Sequence, residues 1–425
     1  MNAFLATAEG PALLIMLPFA VMLLSIAIAP AVWKHGWEKS YRWLAVGLTA
    51  VTSGYYIFGQ HDVQPLRHAA LDYLSFIVVV GSFFVAAGSV HIRVRGGAGP
   101  ASNALFLFAG AVLANLIGTI GASVLLIRPW ISINRHRFAG LHLAFFIFLV
   151  GNMGGALLPT GPPLFLGFLK GVPFFWALRR CLFAWLLSVA FVLLVFYLLD
   201  SANFRRSPRR PREEHPPPAQ RRIRGAANIF WMFIMLVALI FAPEGWREVA
   251  LCSAATAAYF SADKEVRVMN NFTFAPLTEV AWLFLGIFGT MTPALQYMEL
   301  HAAGLGLRSD MQFFWFTGVL SALLDNAPTY LTFLAAAFGL HHLHPDNASD
   351  VAAFVRDHDH HLVAISLAAT FFGALTYIGN GPNLLVKAIA EHEHVRTPSF
   401  FAYTAKFALP VLLPLFVLLS WFFFR

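Results

Sequence analysis

Apolar runs long enough to cross a lipid bilayer recur from one end of this 425-residue chain to the other, and two of them are interrupted at their middle. This constrains the fold more than any other feature. A span needs about 20 apolar residues, and lipid offers no partner to broken backbone. Uninterrupted candidates fall near 10–33, 41–58, 69–88, 138–158, 174–199, 227–242, 246–261, 276–292, 362–378 and 398–424. The interrupted runs, 103–127 and 311–340, carry Gly, Pro or small polar residues near their centres. Neither half of either run is long enough to cross, so each reads as a re-entrant helical hairpin that enters and leaves on one side. Only 12% of residues are charged and 59% are hydrophobic, whereas a soluble domain carries about 25% charged residues. The fold class expected is an all-α polytopic membrane protein. Cys181 and Cys252 lie in apolar runs without a CxxC, so no disulfide framework or zinc ribbon is indicated.

Loop charge orients these spans. Arg93, Arg95, Arg128, Arg135 and Arg137 flank the first hairpin without an acid. The second is flanked by Arg308 and Arg356 against Glu299, Asp310, Asp346, Asp350, Asp357 and Asp359. By the positive-inside rule the first opens from the cytoplasm and the second from outside. Segment 201–226, with eight arginines and several prolines, reads as a cytoplasmic linker. The net charge of +8 is then orienting charge and not a nucleic-acid footprint. Ten crossings place both termini outside, in the cell inner membrane. The partners expected are the bilayer and a small ion or carboxylate.

The linker divides the chain into 1–200 and 227–425, each with three spans, a hairpin and two spans. An odd number of crossings inverts the second half. Residues 110–123 (GAVLANLIGTIGAS) parallel 318–331 (GVLSALLDNAPTYL), and 155–164 (GALLPTGPPL) parallel 373–384 (GALTYIGNGPNL). Inverted repeats with broken helices mark many secondary transporters, because half-helix ends and unwound carbonyls provide ion sites at the membrane midplane. Broken helices are expected at about 138–170 and 362–391.

Four breaks then define the candidate site. They contain Gly118, Thr119, Gly121 and Ser123; Asn152, Thr160, Gly161 and Pro162; Asp325, Asn326, Pro328 and Thr329; and Gly379, Asn380, Gly381, Pro382 and Asn383. Glycine permits unusual dihedrals and proline ends a helix. Thr, Ser and Asn supply oxygen ligands for a hard cation. Asp325 is the sharpest candidate, since a carboxylate inside an apolar membrane run is costly and a functional hypothesis by default. It is assigned to proton or cation coupling; the alternative is a helix cap. Asp200, at a span end, reads as solvated, and so do the histidines of 341–361, with pH sensing or loose metal capture as the alternative for the histidines. No HExxH, GxSxG or ATP-binding motif is present, so no enzyme and no organic cofactor are expected.

The hairpin tips, the GNMGGALLPTGPP and GNGPN breaks and the paired halves resemble the ion transporter superfamily. Within it the resemblance is to bacterial sodium:proton antiporters and citrate transporters. The resemblance implies sodium at the hairpin tips, held by Thr119, Ser123, Asn152 and Thr160 in the first half. In the second half Asn326, Thr329, Asn380 and Asn383 would hold it. Na+ and H+ would be the coupling ions, there would be no transition-metal site, and a homodimer is implied. The dicarboxylate branch has a Ser-Asn-Thr triplet at each tip, which this sequence lacks. The expected function is therefore sodium (cation):proton antiport by alternating access, with sodium- or proton-coupled citrate/dicarboxylate transport as the alternative.

Overall fold

The computed structural model describes residues 13–93, 99–206 and 222–425. In chain order the helices are α1 (Leu17–Val32), α2 (Lys34–Gly54), α3 (Gln64–Gly88), α4 (Pro100–Asn134), α5 (Gly140–Phe146), α6 (Pro162–Leu169) and α7 (Trp176–Arg206). There follow α8 (Ala226–Phe241), α9 (Trp246–Ser261), α10 (Lys264–Met269), α11 (Ala275–His301), α12 (Asp310–Leu323) and α13 (Asn326–Leu340). The last are α14 (Ala348–Asp357), α15 (Asp359–Phe372), α16 (Gly381–His392), α17 (Phe400–Tyr403) and α18 (Leu409–Phe423). Pro65, Pro100, Pro162, Pro276 and Pro382 each sit in a first turn, where the missing N–H has no helical partner to lose. Among the described residues six helical stretches are long and apolar enough to cross a membrane, running from Leu13–Pro30 to Phe400–Phe423.

One of the six, α4, is not a straight rod. Gly118 has φ 75° and ψ 156°, a combination open essentially to glycine alone, and there the helix folds back on itself. Asn103 Nδ2 donates to Asn134 Oδ1 at 2.7 Å, and Phe106 stacks on Trp130 at 5.3 Å. These pairs centre on Gly118 and make two antiparallel arms. Gly121, expected within the break, is regular helix; it is where the second arm packs against Phe83 and Ala87 of α3. The second pair of arms, α12 and α13, turns at Leu324–Asp325, and its two ends meet at His361. Asp310 Oδ1 lies 2.6 Å from His361 Nδ1, and the His341 ring lies 5.2 Å from that of His361.

Helix α7 relates the two pairs. Asp200, near its end, binds Arg137 and His142, just beyond the arms of α4. Arg180, near its start, binds Asp359 at the start of α15. Some twenty residues separate Arg180 from Asp200, about 30 Å of helix, which is the thickness of a bilayer hydrocarbon core. The arms of α4 therefore open at one end of α7 and those of α12–α13 at the other. Each arm is about fifteen residues, or about 22 Å, so the two tips overlap in depth.

Around this centre, α1, α2, α3 and α11 pack together, with α8 and α9 on α3. Phe76 of α3 stacks on Phe284 of α11 at 4.4 Å. These two central helices carry the contacts to the hairpins, α3 to α4 and α11 to α13. The segment read as a linker is shorter than expected. Helix α7 continues to Arg206, and Arg222–Arg224 pairs antiparallel with His91–Arg93; residues 207–221 lie outside the described residues.

Candidate functional site

Each hairpin tip meets the break of its own half. In the first half, α5 passes into a π-helical turn, Ile147–Asn152, and a short 3-10 turn before the chain unwinds at Ala156–Gly161 and resumes as α6. A Cβ on Gly118 would fall 2.6 Å from the carbonyl oxygen of Thr160, so only glycine allows tip and break to approach so closely. Thr160 Oγ1 donates to Asn115 O at 2.7 Å, and Leu157 N donates to Asn115 Oδ1 at 2.9 Å. In the second half, α15 unwinds at Thr376–Asn380 and resumes as α16. Thr376 Oγ1 donates to Ala322 O at 2.6 Å. Each break is thus tied by a threonine to a hairpin carbonyl three residues before the bend.

Three asparagines join the halves. Asn152 Nδ2 donates to Asn383 Oδ1 at 2.8 Å and to Ile147 O. Asn380 Nδ2 donates to Asn152 Oδ1 at 3.0 Å and to Gly151 O at 2.9 Å. Asn383 Nδ2 closes on Gly373 O and Thr376 O. All three are buried, at 4% exposure or less, and between them they bond one another across the two halves and the carbonyls of Ile147, Gly151, Gly373 and Thr376. Asn326 accepts from Ser321 Oγ at 2.8 Å, and Thr329 Oγ1 donates to Asp325 O at 3.0 Å.

Asp325 is the N-cap of α13, its Oδ1 accepting from Ala327 N at 3.1 Å. Its carboxylate also faces the N–H of Gly381, at the start of α16. Two helix N-termini thus converge on one side chain. Gly381 lies at an accessible edge, with no atom within 4 Å of where its Cβ would be. Gly161 is the N-cap of α6, Pro162 opens it, and Pro328 and Pro382 lie in the first turns of α13 and α16. Gly379 packs against the carbonyls of Gly373 and Ser321.

The first half differs. At the start of the second arm of α4 stand Thr119 and Ser123, 4% and 0% exposed, and neither hydroxyl has a partner among the described residues, a state shared in the second half by Thr317, Ser366 and Thr404 away from the tip. Thr119 lies against Gly155 and Gly161, so its neighbourhood includes the N-terminus of α6.

Sequence reasoning missed Asn115, Ser321 and Thr376, which brace tips to breaks. The signal for Asn115 was available: an amide in the middle of an apolar run. Asp200 is a correction. It is 0% exposed and not solvated, because Arg137 and His142 bind it and Asn103 Nδ2 donates to it at 2.9 Å. Its partners are 63 and 58 residues away in the chain, beyond the reach of local pattern.

Helices of spanning length around a buried centre of unwound backbone and polar side chains define a multi-pass membrane protein of the transporter class. The sequence matches, over residues 8–424, the family described as "Putative citrate transport". The match covers nearly the whole chain, and the protein belongs to that family. No curated protein matches the sequence.

Proposed function

We propose that the protein is a secondary active transporter of citrate or a related carboxylate, coupled to sodium or protons and working by alternating access. The observation that carries this reading is the pair of buried, unpartnered hydroxyls of Thr119 and Ser123. Buried polar groups are nearly always paired, and these two stand beside helix N-termini, where carboxylates are favoured. The family description names citrate, the alternative in the sequence reading. The second half supplies the complement: Asp325 is the coupling carboxylate, reached from the edge at Gly381. Sodium is assigned to the tips, with Thr119, Ser123, Asn152 and Thr160 around one and Asn326, Thr329, Asn380 and Asn383 around the other.

Hairpins that open at opposite ends of α7 support two inverted repeats, each with five spans and a re-entrant hairpin. In this reading the Asp200 end faces the cytoplasm, both termini lie outside, and the protein resides in the inner membrane as a homodimer. A second reading, sodium (cation):proton antiport, is favoured by Asp325, since no Arg or Lys stands among the site residues.

Proteoliposomes with a trapped pH dye test both. Sodium- or proton-dependent accumulation of labelled citrate is expected. Collapse of a preset pH gradient on adding sodium or lithium chloride, with no citrate uptake, would replace the first reading by the second. In either case Asp325→Asn keeps its capping oxygen and is expected to reduce coupled transport about tenfold or more, the loss of one charge-assisted ligand. Full activity in that variant would remove Asp325 from the mechanism.

A further inference from the structure

The stretch from 341 to 361 carries six histidines, and three of them pack together, His361 buried and His341 and His358 half-buried. The ring of His341, the C-cap of α13, lies on that of His358 with centroids 3.5 Å apart and 13° between planes. His361, in the first turn of α15, lies 5.2 Å from His341, and its Nδ1 faces Asp310 Oδ1 at 2.6 Å. Phe313 of α12 lies 4.7 Å from His361. Phe354 of α14, stacked on Phe338 of α13, sits about equally far from His341 and His358, at 6.1 and 6.0 Å. One aromatic cluster therefore fastens α12, α13, α14 and α15 together at the open end of the second hairpin.

The charges around it are few. Asp310 on α12 touches His361. On α15, Asp359 is held by Arg180 of α7, with His360 3.8 Å away. On α14, Arg356 and Asp357 pair with each other. His342 also faces His341. Neutral imidazoles can stack as these do. Two charged rings at 3.5–5.2 Å in an apolar setting repel one another, and Asp310 can balance only one of them. Among the described residues no three His, Cys, Asp or Glu side chains converge as metal ligands, so the proton is the ligand that fits.

We propose that this histidine stack is a proton-operated latch on the open end of the second hairpin. Neutral, it holds α13 and α14 to the start of α15. Charged, it releases them, so acid on that side of the membrane frees the hairpin. Burial, then the imidazoles of His358, His361 and His342, push His341 down to about 4. Its ordinary value is about 6.5, so between these values the opened form binds more protons. The closed latch is therefore fully favoured above that window and weakens as pH falls through it. The effect on transport rate rests on the function proposed above; the opening itself does not.

Amide hydrogen exchange of the full-length protein in lipid nanodiscs tests the opening directly. Protection over 341–361, corrected for intrinsic exchange, is expected to fall about tenfold between about pH 7.5 and pH 5. The pair His341→Phe and His358→Phe keeps aromatic packing without titration and is expected to hold protection within about twofold over that range. Asp310→Asn removes the balancing carboxylate, so the closed stack tolerates charge less, and protection at about pH 5 is expected to fall further than in wild type while protection at about pH 7.5 stays within about twofold. A merely damaged fold would instead loosen at every pH. Wild-type protection that ignores pH, or the same fall in the doubly substituted protein, would overturn the latch. Exchange that responds as expected in a protein that moves neither citrate nor cations would leave the latch standing and sink the transport reading.

Discussion

Asp325 Oδ1 accepts an N–H from its own helix, while Thr119 and Ser123, at the matching tip of the first half, have no hydrogen-bond partner among the described residues. The consequences of removing them differ accordingly. A hydroxyl that makes no hydrogen bond leaves no orphan behind when deleted. Thr119→Ala and Ser123→Ala are therefore expected to change thermal stability by less than about 1 kcal/mol while weakening substrate or sodium affinity about fivefold to tenfold. Binding measured by calorimetry on the folded variants checks this; unchanged affinity would mean the pocket is not the site. The residue types at these tips were legible in the sequence, since small polar residues inside apolar runs are conspicuous. Which hydroxyls lack partners was not, because that depends on atoms brought in from α6 and the break before it.

At the scale of elements, the two hairpins are held at both ends. The tip of α4 depends on Gly118. Its positive φ and the 2.6 Å approach of a would-be Cβ to Thr160 O mean that Gly118→Ala meets dihedral strain and a backbone clash together. A loss of about 1–3 kcal/mol from the dihedral alone, with a further loss from the clash, should appear as lower Tm and impaired transport; unchanged Tm would place the bend elsewhere. The open end of the same hairpin depends on Asp200, which neutralises the nearly buried Arg137. Truncating one partner of such a pair strands the other charge, so Asp200→Ala is expected to destabilise by about 3–5 kcal/mol. A Tm within a degree of wild type would show that water or another carboxylate takes its place. The position of the bend could be read from the Gly-Thr-Ile-Gly pattern. That only Gly118 bends, and that Gly121 packs on α3, could not, because both glycines look alike until neighbouring backbone is in place.

At the scale of the whole molecule, the halves are bridged by Asn152, Asn380 and Asn383, whose amides bond one another and the carbonyls of Gly151, Gly373 and Thr376. A double-mutant cycle of Asn152→Ala and Asn383→Ala is expected to show coupling of about 1–2 kcal/mol in stability, since each removes a bond the other needs. Additive losses would mean that the halves are braced elsewhere. The all-helical class, the recurrence of apolar helices of spanning length, the two bends and the two unwound breaks follow from the sequence alone. Lipid-compatible backbone has so few solutions that apolar length and its interruptions nearly dictate them. Tertiary structure decided the rest. It buried Asp200, stacked three histidines that local composition assigns to solvent, left the hydroxyls of Thr119 and Ser123 among those without a partner in the described residues, and crossed three asparagines between halves some 230 residues apart. Each of these depends on which surfaces meet, and burial and pairing belong to contacts between distant segments, which no local pattern of residues encodes.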